Sequence, residues 1–147
     1  MSDQNKLLEQ TLHQEIPLTE HMDVRVESFD GQELIVTAEL QPNINIHGTA
    51  FGGSLYSICA ITCWSMLHLL LTEQGSDAQM VLGRAEIKYL KPIRQQIRAR
   101  CRLPDDAQLH AFLQRLSHGD RAAITMTAEV LDGDDVAVLF SGRYSSF

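Results

Sequence analysis

Hydrophobic residues change their spacing along this chain, and each change marks an element. The stretch Met22-Asp23-Val24-Arg25-Val26-Glu27-Ser28-Phe29 alternates apolar with polar, Asp30-Gly31 supplies a turn, and Glu33 to Leu40 alternates again through Leu34, Val36, Ala38 and Leu40. A period of two buries one face of each segment, so the pair predicts a β-hairpin. From Leu55 to Leu71 the apolar residues become nearly continuous, which predicts a helix covered on most of its circumference. Gly75 is placed to stop it, giving a helix roughly 30 Å long at 1.5 Å per residue. Beyond it, the alternation predicts strands at Met80 to Tyr89, Ile97 to Leu103, Leu109 to Leu116, Ala122 to Leu131 and Val136 to Tyr144. Lys91-Pro92, Pro104-Asp105-Asp106, Ser117 to Asp120 and Asp132-Gly133-Asp134 separate them. At the start, Asn5 to Gln14 has a weak amphipathic pattern through Leu7, Leu8 and Leu12 and predicts a peripheral helix. Strands gathered around one long helix predict an α+β fold with an antiparallel sheet. The expected organisation is a helical extension over residues 1–17 and a single domain over 18–147.

Composition narrows the class. At 147 residues, with 44% hydrophobic and 21% charged positions, the chain has the makeup of one globular domain. Its net charge of −7 disfavours nucleic acid or an anionic membrane as a partner. The apolar run Leu55 to Leu71 contains Ser57, Thr62, Ser65 and His68 and has no flanking Lys or Arg, which argues against a membrane span. Met1 to Gln14 has neither a basic nor an apolar leader pattern, so the expected location is cytoplasmic. Cys59, Cys63 and Cys101 form no framework or metal-ligand spacing, and no metal is expected.

The candidate chemistry lies at the start of the long helix, in Asn45-Ile46-His47-Gly48-Thr49-Ala50-Phe51-Gly52-Gly53-Ser54. Two glycines opening a helix let backbone N–H groups approach a ligand, and the helix end favours negative charge. Asn45 adds an amide donor, completing the parts needed to hold a thioester carbonyl as it gains charge. Asn45 has a structural alternative, turning the loop through its own side chain. No nucleotide-binding glycine pattern is present, and no cofactor is expected. Between Arg84 and Arg102 the local charge reverses, with seven of the chain's twelve basic residues against one acid, Glu86.

The order of elements resembles the hotdog fold, and Asn45-x-His47-Gly48-Thr49-x-x-Gly52-Gly53 resembles the motif of its acyl-thioesterases nearly position by position. Ile87-Lys88-Tyr89-Leu90-Lys91-Pro92 is similar to the strand that follows the helix in those proteins. The resemblance spans about Leu18 to Phe147. It implies a curved antiparallel sheet wrapped around the helix, subunits paired through one continuous sheet as a homodimer or dimer of dimers, and a thioester site between them. It also implies catalytic roles for Asn45 and Gly53, with His47, Thr49, Phe51, Gly52, Ser54 and Tyr89 binding substrate.

One departure changes the expected reaction. Hotdog thioesterases similar to phenylacetyl-CoA thioesterase carry a catalytic Asp or Glu eight residues after the first glycine of the pair, and here that position is Ala60. No carboxylate lies anywhere from Ser54 to Leu71. Decarboxylation of a malonyl thioester needs enolate stabilisation and no base, which matches the malonyl-acyl-carrier-protein decarboxylase branch that this chain resembles. The expected carrier is an acyl carrier protein or coenzyme A, met at Lys88, Lys91, Arg94 and Arg98. Two alternatives stay open. One is an acyl thioesterase whose base is His47, Glu86 or Glu129, and the other is a hotdog that binds acyl thioesters without turnover.

Overall fold

The computed structural model describes residues 2–147. Two short helices come first, α1 (Asp3–Glu15) and α2 (Leu18–His21), followed by the hairpin β1 (Val24–Phe29) and β2 (Glu33–Ala38). The central helix α3 (Gly52–Glu73) leads to β3 (Met80–Tyr89) and β4 (Ile97–Arg102), then α4 (Asp106–Ser117), β5 (Ala123–Asp132) and β6 (Asp135–Ser146). The six strands form one antiparallel sheet in the order β1-β2-β4-β5-β6-β3. This is the hotdog architecture, a curved sheet around a long helix.

The hairpin forms where the alternation places it. Asp30 Oδ1 accepts from the N–H groups of Gln32 and Glu33 at 2.8 and 2.7 Å, and Gly31 takes the left-handed φ of +91° that the turn needs. Leu34, Val36 and Ala38 then face α3 with no exposure, as do Ile97, Ala99 and Cys101 on β4. On α3, Ile58, Cys59, Cys63, Met66 and Leu67 are equally buried, and each buried Leu or Ile contributes about 1.5–3 kcal/mol. The helix stops as expected. Gly75, at φ +69°, donates to Thr72 O at 3.1 Å, and Ser76 N donates to Leu71 O at 2.9 Å. These paired bonds satisfy the last carbonyls of the helix. Although α3 is long and apolar enough to cross a membrane, 61% of its most apolar window is buried in this core.

The structure corrects one expectation. Leu109 to Leu116, read as a strand, belongs to α4, so four strands follow the central helix instead of five. Asp105 caps the helix by accepting from Gln108 N at 2.9 Å, and Asp106 occupies the first turn. Leu109, Phe112, Leu113 and Leu116 share one helical face that packs on the core, with Phe112 buried. Their spacing of three, one and three residues fits a period of 3.6 better than two.

The sheet's two edges differ. On β1 the outer backbone is covered by α1. The His13 imidazole Nε2 bonds Val24 O at 2.7 Å, and Val26 N donates to Glu9 Oε1 at 2.8 Å. Over its ten residues β3 pairs with β6 alone, and its outer edge has no partner strand among the described residues.

Candidate oxyanion site

The loop entering α3 is a small closed structure built on Asn45. Asn45 N donates to Thr49 O at 2.8 Å, Gly48 N donates to Asn45 O at 3.2 Å, and Ile44 bridges Ala50 as a short antiparallel pair. Gly48 sits at φ +80°, a conformation that costs glycine little. The Asn45 side-chain oxygen accepts from the N–H groups of His47 and Thr49, at 2.9 and 3.1 Å. Its Nδ2 donates to Thr49 Oγ1 at 2.8 Å. Asn45 therefore does turn the loop, and this same work fixes its chemistry. With the oxygen committed to two backbone donors, the NH₂ group is oriented, and one of its two protons has no partner among the described residues. Ala50 N donates to Ile93 O and Phe51 N to Asn43 O, anchoring the loop to the segment after β3 and to the turn after β2.

Phe51 precedes α3 with extended backbone and gives the helix no side-chain cap. The N–H groups of Gly52, Gly53 and Ser54 consequently meet no acceptor among the described residues, at the end of a helix of 22 residues. A Cβ on Gly53 would lie 2.5 Å from the Phe51 ring, so the ring covers this glycine at a distance no side chain allows. Tyr89 donates its hydroxyl proton to Gly52 O at 2.8 Å. That carbonyl belongs to the same peptide unit as the Gly53 N–H, so the phenol orients the unit and polarises its donor. Burial raises the Tyr89 pKa above its ordinary 10, which keeps the donating proton in place. Sequence reasoning had Tyr89 only as a lining residue. Its spacing from Lys91-Pro92 carried no sign of a bond to the helix start.

A hollow of about 360 Å³ adjoins the helix start, lined by Phe51, Gly53, Ser54 and Ser57 with Leu18, Met22 and Asn43. Asn45, His47 and Thr49 are not among its lining residues. Asn43 is a further structural residue the sequence did not single out. It is buried, and its Nδ2 donates to Met22 O and Glu39 O at 2.8 and 2.7 Å. His47 is exposed, and its ring has no bonded partner among the described residues. Ala60 stands where a helix carboxylate would act, and its carbonyl accepts from the buried Tyr144 hydroxyl at 2.7 Å. Glu73, at the last position of α3, is the helix's only acid.

The basic run is largely neutralised within the sheet. Arg98 meets Glu27 at 2.7 Å, Arg100 meets Glu129 at 2.8 Å and Arg102 meets Glu33 at 3.0 Å. Lys91 sits between Asp132 and Asp135, at 3.1 and 2.9 Å, and the Asp135 carboxyl is held below its ordinary range by that ammonium. Arg84, Lys88 and Arg94 have no ion pair among the described residues. The three cysteines are buried thiols, and desolvation pushes Cys59 up to about 12.

A profile of the YiiD_C family, described as "Putative thioesterase (yiiD_Cterm)", matches residues 5–147. The chain belongs to this family. The YiiD_C protein is similar to a putative thioesterase from Shewanella oneidensis, at 34% identity, 99% of each chain covered and a TM-score of 0.90. It is also similar to a protein of unknown function from Chlorobaculum tepidum TLS, at 33% identity over 97% of this chain and 93% of the other, with a TM-score of 0.91. A Pseudomonas aeruginosa protein at 15% identity, covering 96% and 93%, shares the fold with a TM-score of 0.74. The family's description and the Shewanella oneidensis relative place this YiiD_C chain among thioesterase-like hotdog proteins.

Proposed function

We propose that this YiiD_C protein decarboxylates malonyl thioesters, leaving an acetyl group on the carrier thiol. In this reaction the bond between the carboxylate and the α-carbon breaks, CO₂ departs, and the electron pair enters the thioester as an enolate that solvent then protonates. The barrier falls if donors meet the enolate oxygen. The single observation that carries the reading is the pairing of free donors at the start of α3 with the absence of any acid from Gly52 to Thr72. Gly53 N–H, polarised through Tyr89, and the oriented Asn45 amide are the donors. Hydrolysis without a positioned base would forfeit about 10²–10⁴-fold in rate, whereas decarboxylation needs none. Phe51, Tyr56 and Ala60 supply apolar surface that disfavours the substrate's charged carboxylate and favours its loss as CO₂.

The site is completed by a second copy of the chain. β3 is the open edge, and Val81, Tyr89 and Leu90 on or beside it are about half exposed, as is Phe51 at the helix start. Pairing β3 with its counterpart extends both sheets and encloses the helix start between two subunits. The carrier is an acyl carrier protein or coenzyme A in the cytoplasm, and the acetyl product primes fatty acid synthesis. Of the four cations expected to meet the carrier, Lys88 and Arg94 are unpaired, while Lys91 and Arg98 would have to exchange carboxylate partners.

Mass spectrometry of malonyl-carrier protein, malonyl-CoA and acyl thioesters incubated with the protein tests this. The expected result is conversion of malonyl to acetyl still attached to its thiol. Release of free thiol from acyl substrates would overturn it in favour of the thioesterase reading, which the family's description favours. The base would then be sought at His47 or Glu86, since Glu129 already accepts from Arg100.

A further inference from the structure

The hollow at the start of α3 is bordered by one side chain that carries protons, and it comes from neither the loop nor the helix. His21, at the end of α2, lines this hollow together with Gly53, Ser54 and Ser57. It is the only ionisable side chain among the lining residues. His47, Glu86 and Glu129, the bases named from the sequence, do not border it, and the two glutamates line a separate hollow. Ser57 is committed elsewhere, its Oγ donating to Gly53 O at 2.9 Å.

Local structure places it there. The buried Thr19 donates through Oγ1 to Ile16 O at 2.8 Å, and Met22 N closes the short helix on Leu18 O at 3.0 Å. Asp23 then takes a left-handed φ of +56°, a conformation that aspartate tolerates, as the chain turns into β1. Buried Asn43 joins the two segments that flank the hollow. Its Nδ2 donates at 2.8 Å to the carbonyl of Met22, the residue after His21, and its main-chain oxygen accepts at 2.7 Å from the N–H of Phe51, the residue before α3. The end of α2 and the free N–H groups of α3 are thus tied through a single residue. The His21 side chain is exposed, so it recovers a proton from solvent.

We propose that His21 is the proton-transfer residue of this site, passing to the enolate carbon the proton that solvent supplies. The step rests on the malonyl reading above; the role does not, since in hydrolysis the same ring takes the proton of the attacking water. A thioester oxygen held at Gly53 N–H keeps the α-carbon two bonds away, beside the hollow that Gly53 lines. Loss of CO₂ leaves the electron pair shared between that carbon and the oxygen. The pair takes the imidazolium proton, so a C–H bond forms as an N–H bond breaks, and water returns a proton to the neutral ring. Imidazole is the side chain that ordinarily exchanges protons near neutral pH, and its cation is a far stronger acid than water. Fast protonation traps the enolate before CO₂ recombines with it.

Removing the ring and returning it as a free molecule tests this. Because His21 is exposed, His21→Ala should melt with the parent. Its turnover of malonyl thioester, followed by mass spectrometry, should fall about 10²-fold, the low end for general acid–base catalysis because water reaches an exposed site. Added imidazole should raise the variant's turnover about tenfold and leave the parent unchanged. In labelled CO₂ the variant should also return more label to unreacted malonyl substrate, since its enolate waits longer for a proton. A residue that only supports the loop would lower turnover without answering to imidazole. Turnover within a few-fold of the parent, or a loss that imidazole does not relieve, overturns the assignment. The malonyl reading is judged separately, on the parent's product. Acetyl thioester from the parent with an unimpaired variant keeps that reading and removes His21. Free thiol from the parent with a variant that imidazole rescues does the reverse, and a parent with no turnover of either kind removes both.

Discussion

Replacing Asn45 with aspartate separates the residue's two jobs. The side-chain oxygen organises the loop through its bonds to His47 N and Thr49 N, at 2.9 and 3.1 Å, and aspartate keeps an oxygen in that position. The amide NH₂, which donates to Thr49 Oγ1 and whose second proton is the proposed donor to substrate, is lost. Thr49 can reverse its hydroxyl and donate to the new carboxylate, so the loop retains its bonds. Asn45→Asp should therefore unfold within about 0.5 kcal/mol of the parent, the range of a tolerated surface change. Asn45→Ala removes both acceptor bonds at about 1 kcal/mol each, reduced for exposure, and should lose about 1–2 kcal/mol. Thermal melts would register that as a fall of roughly 2–8 °C for a chain of this size. Catalysis should respond differently. Loss of one oxyanion donor costs about 10²–10³ in turnover, or 2.7–4 kcal/mol, and both variants should show it in malonyl decarboxylation followed by mass spectrometry. An Asn45→Asp protein that keeps its turnover within a few-fold of the parent would refute the donor role and leave Asn45 a turn residue. Free thiol appearing with that variant would mean that the new carboxylate acts as a base beside a working oxyanion site.

Tyr89→Phe deletes the bond to Gly52 O and should lower kcat up to about tenfold with KM little changed, since a single hydrogen bond contributes about 0.5–1.5 kcal/mol. Steady-state kinetics checks this, and an effect confined to KM would contradict it. Gly142→Ala puts a Cβ 2.9–3.0 Å from Phe140, Leu82 and Tyr144, and overpacking of this kind should cost about 1–3 kcal/mol in denaturant unfolding. Asp30→Ala should weaken the first hairpin in a pH-dependent way. Backbone N–H groups of Gln32 and Glu33 lower the Asp30 pKa below 3.8, so its contribution is complete above that value and fades as pH falls through the folded one. The melting difference between parent and variant should stay constant from neutral pH to about 4 and shrink below it.

Much of the fold was legible because its patterns are local. The hairpin around Asp30-Gly31, the apolar length of α3 and the stop at Gly75 follow from spacing and turn chemistry within a few residues. The segment Leu109 to Leu116 was misread because its alternating neighbours suggested a strand, while the capping Asp105 was counted as part of a turn. At the site, the glycine pair and Asn45 were visible as residues, but not the orientation of the amide. That orientation depends on donors from His47 and Thr49 meeting one oxygen, which spacing alone does not specify. The basic run was legible as a count and misleading as a field, because its counter-ions Glu27, Glu33 and Glu129 come from strands distant in sequence.

The contrast between the two sheet edges carries a consequence for growth in number. A chain with two open edges adds copies at both ends and has no natural limit, the geometry of a fibre. Here His13 and Glu9 of α1 occupy the backbone of β1, so each copy offers a single adhesive side. If β3 pairs with β3 of a second copy, as proposed, growth through that side terminates after one addition. In the dimer proposed above, removing α1 would bare the second edge and let copies polymerise, so the first helix would act as the chain terminator.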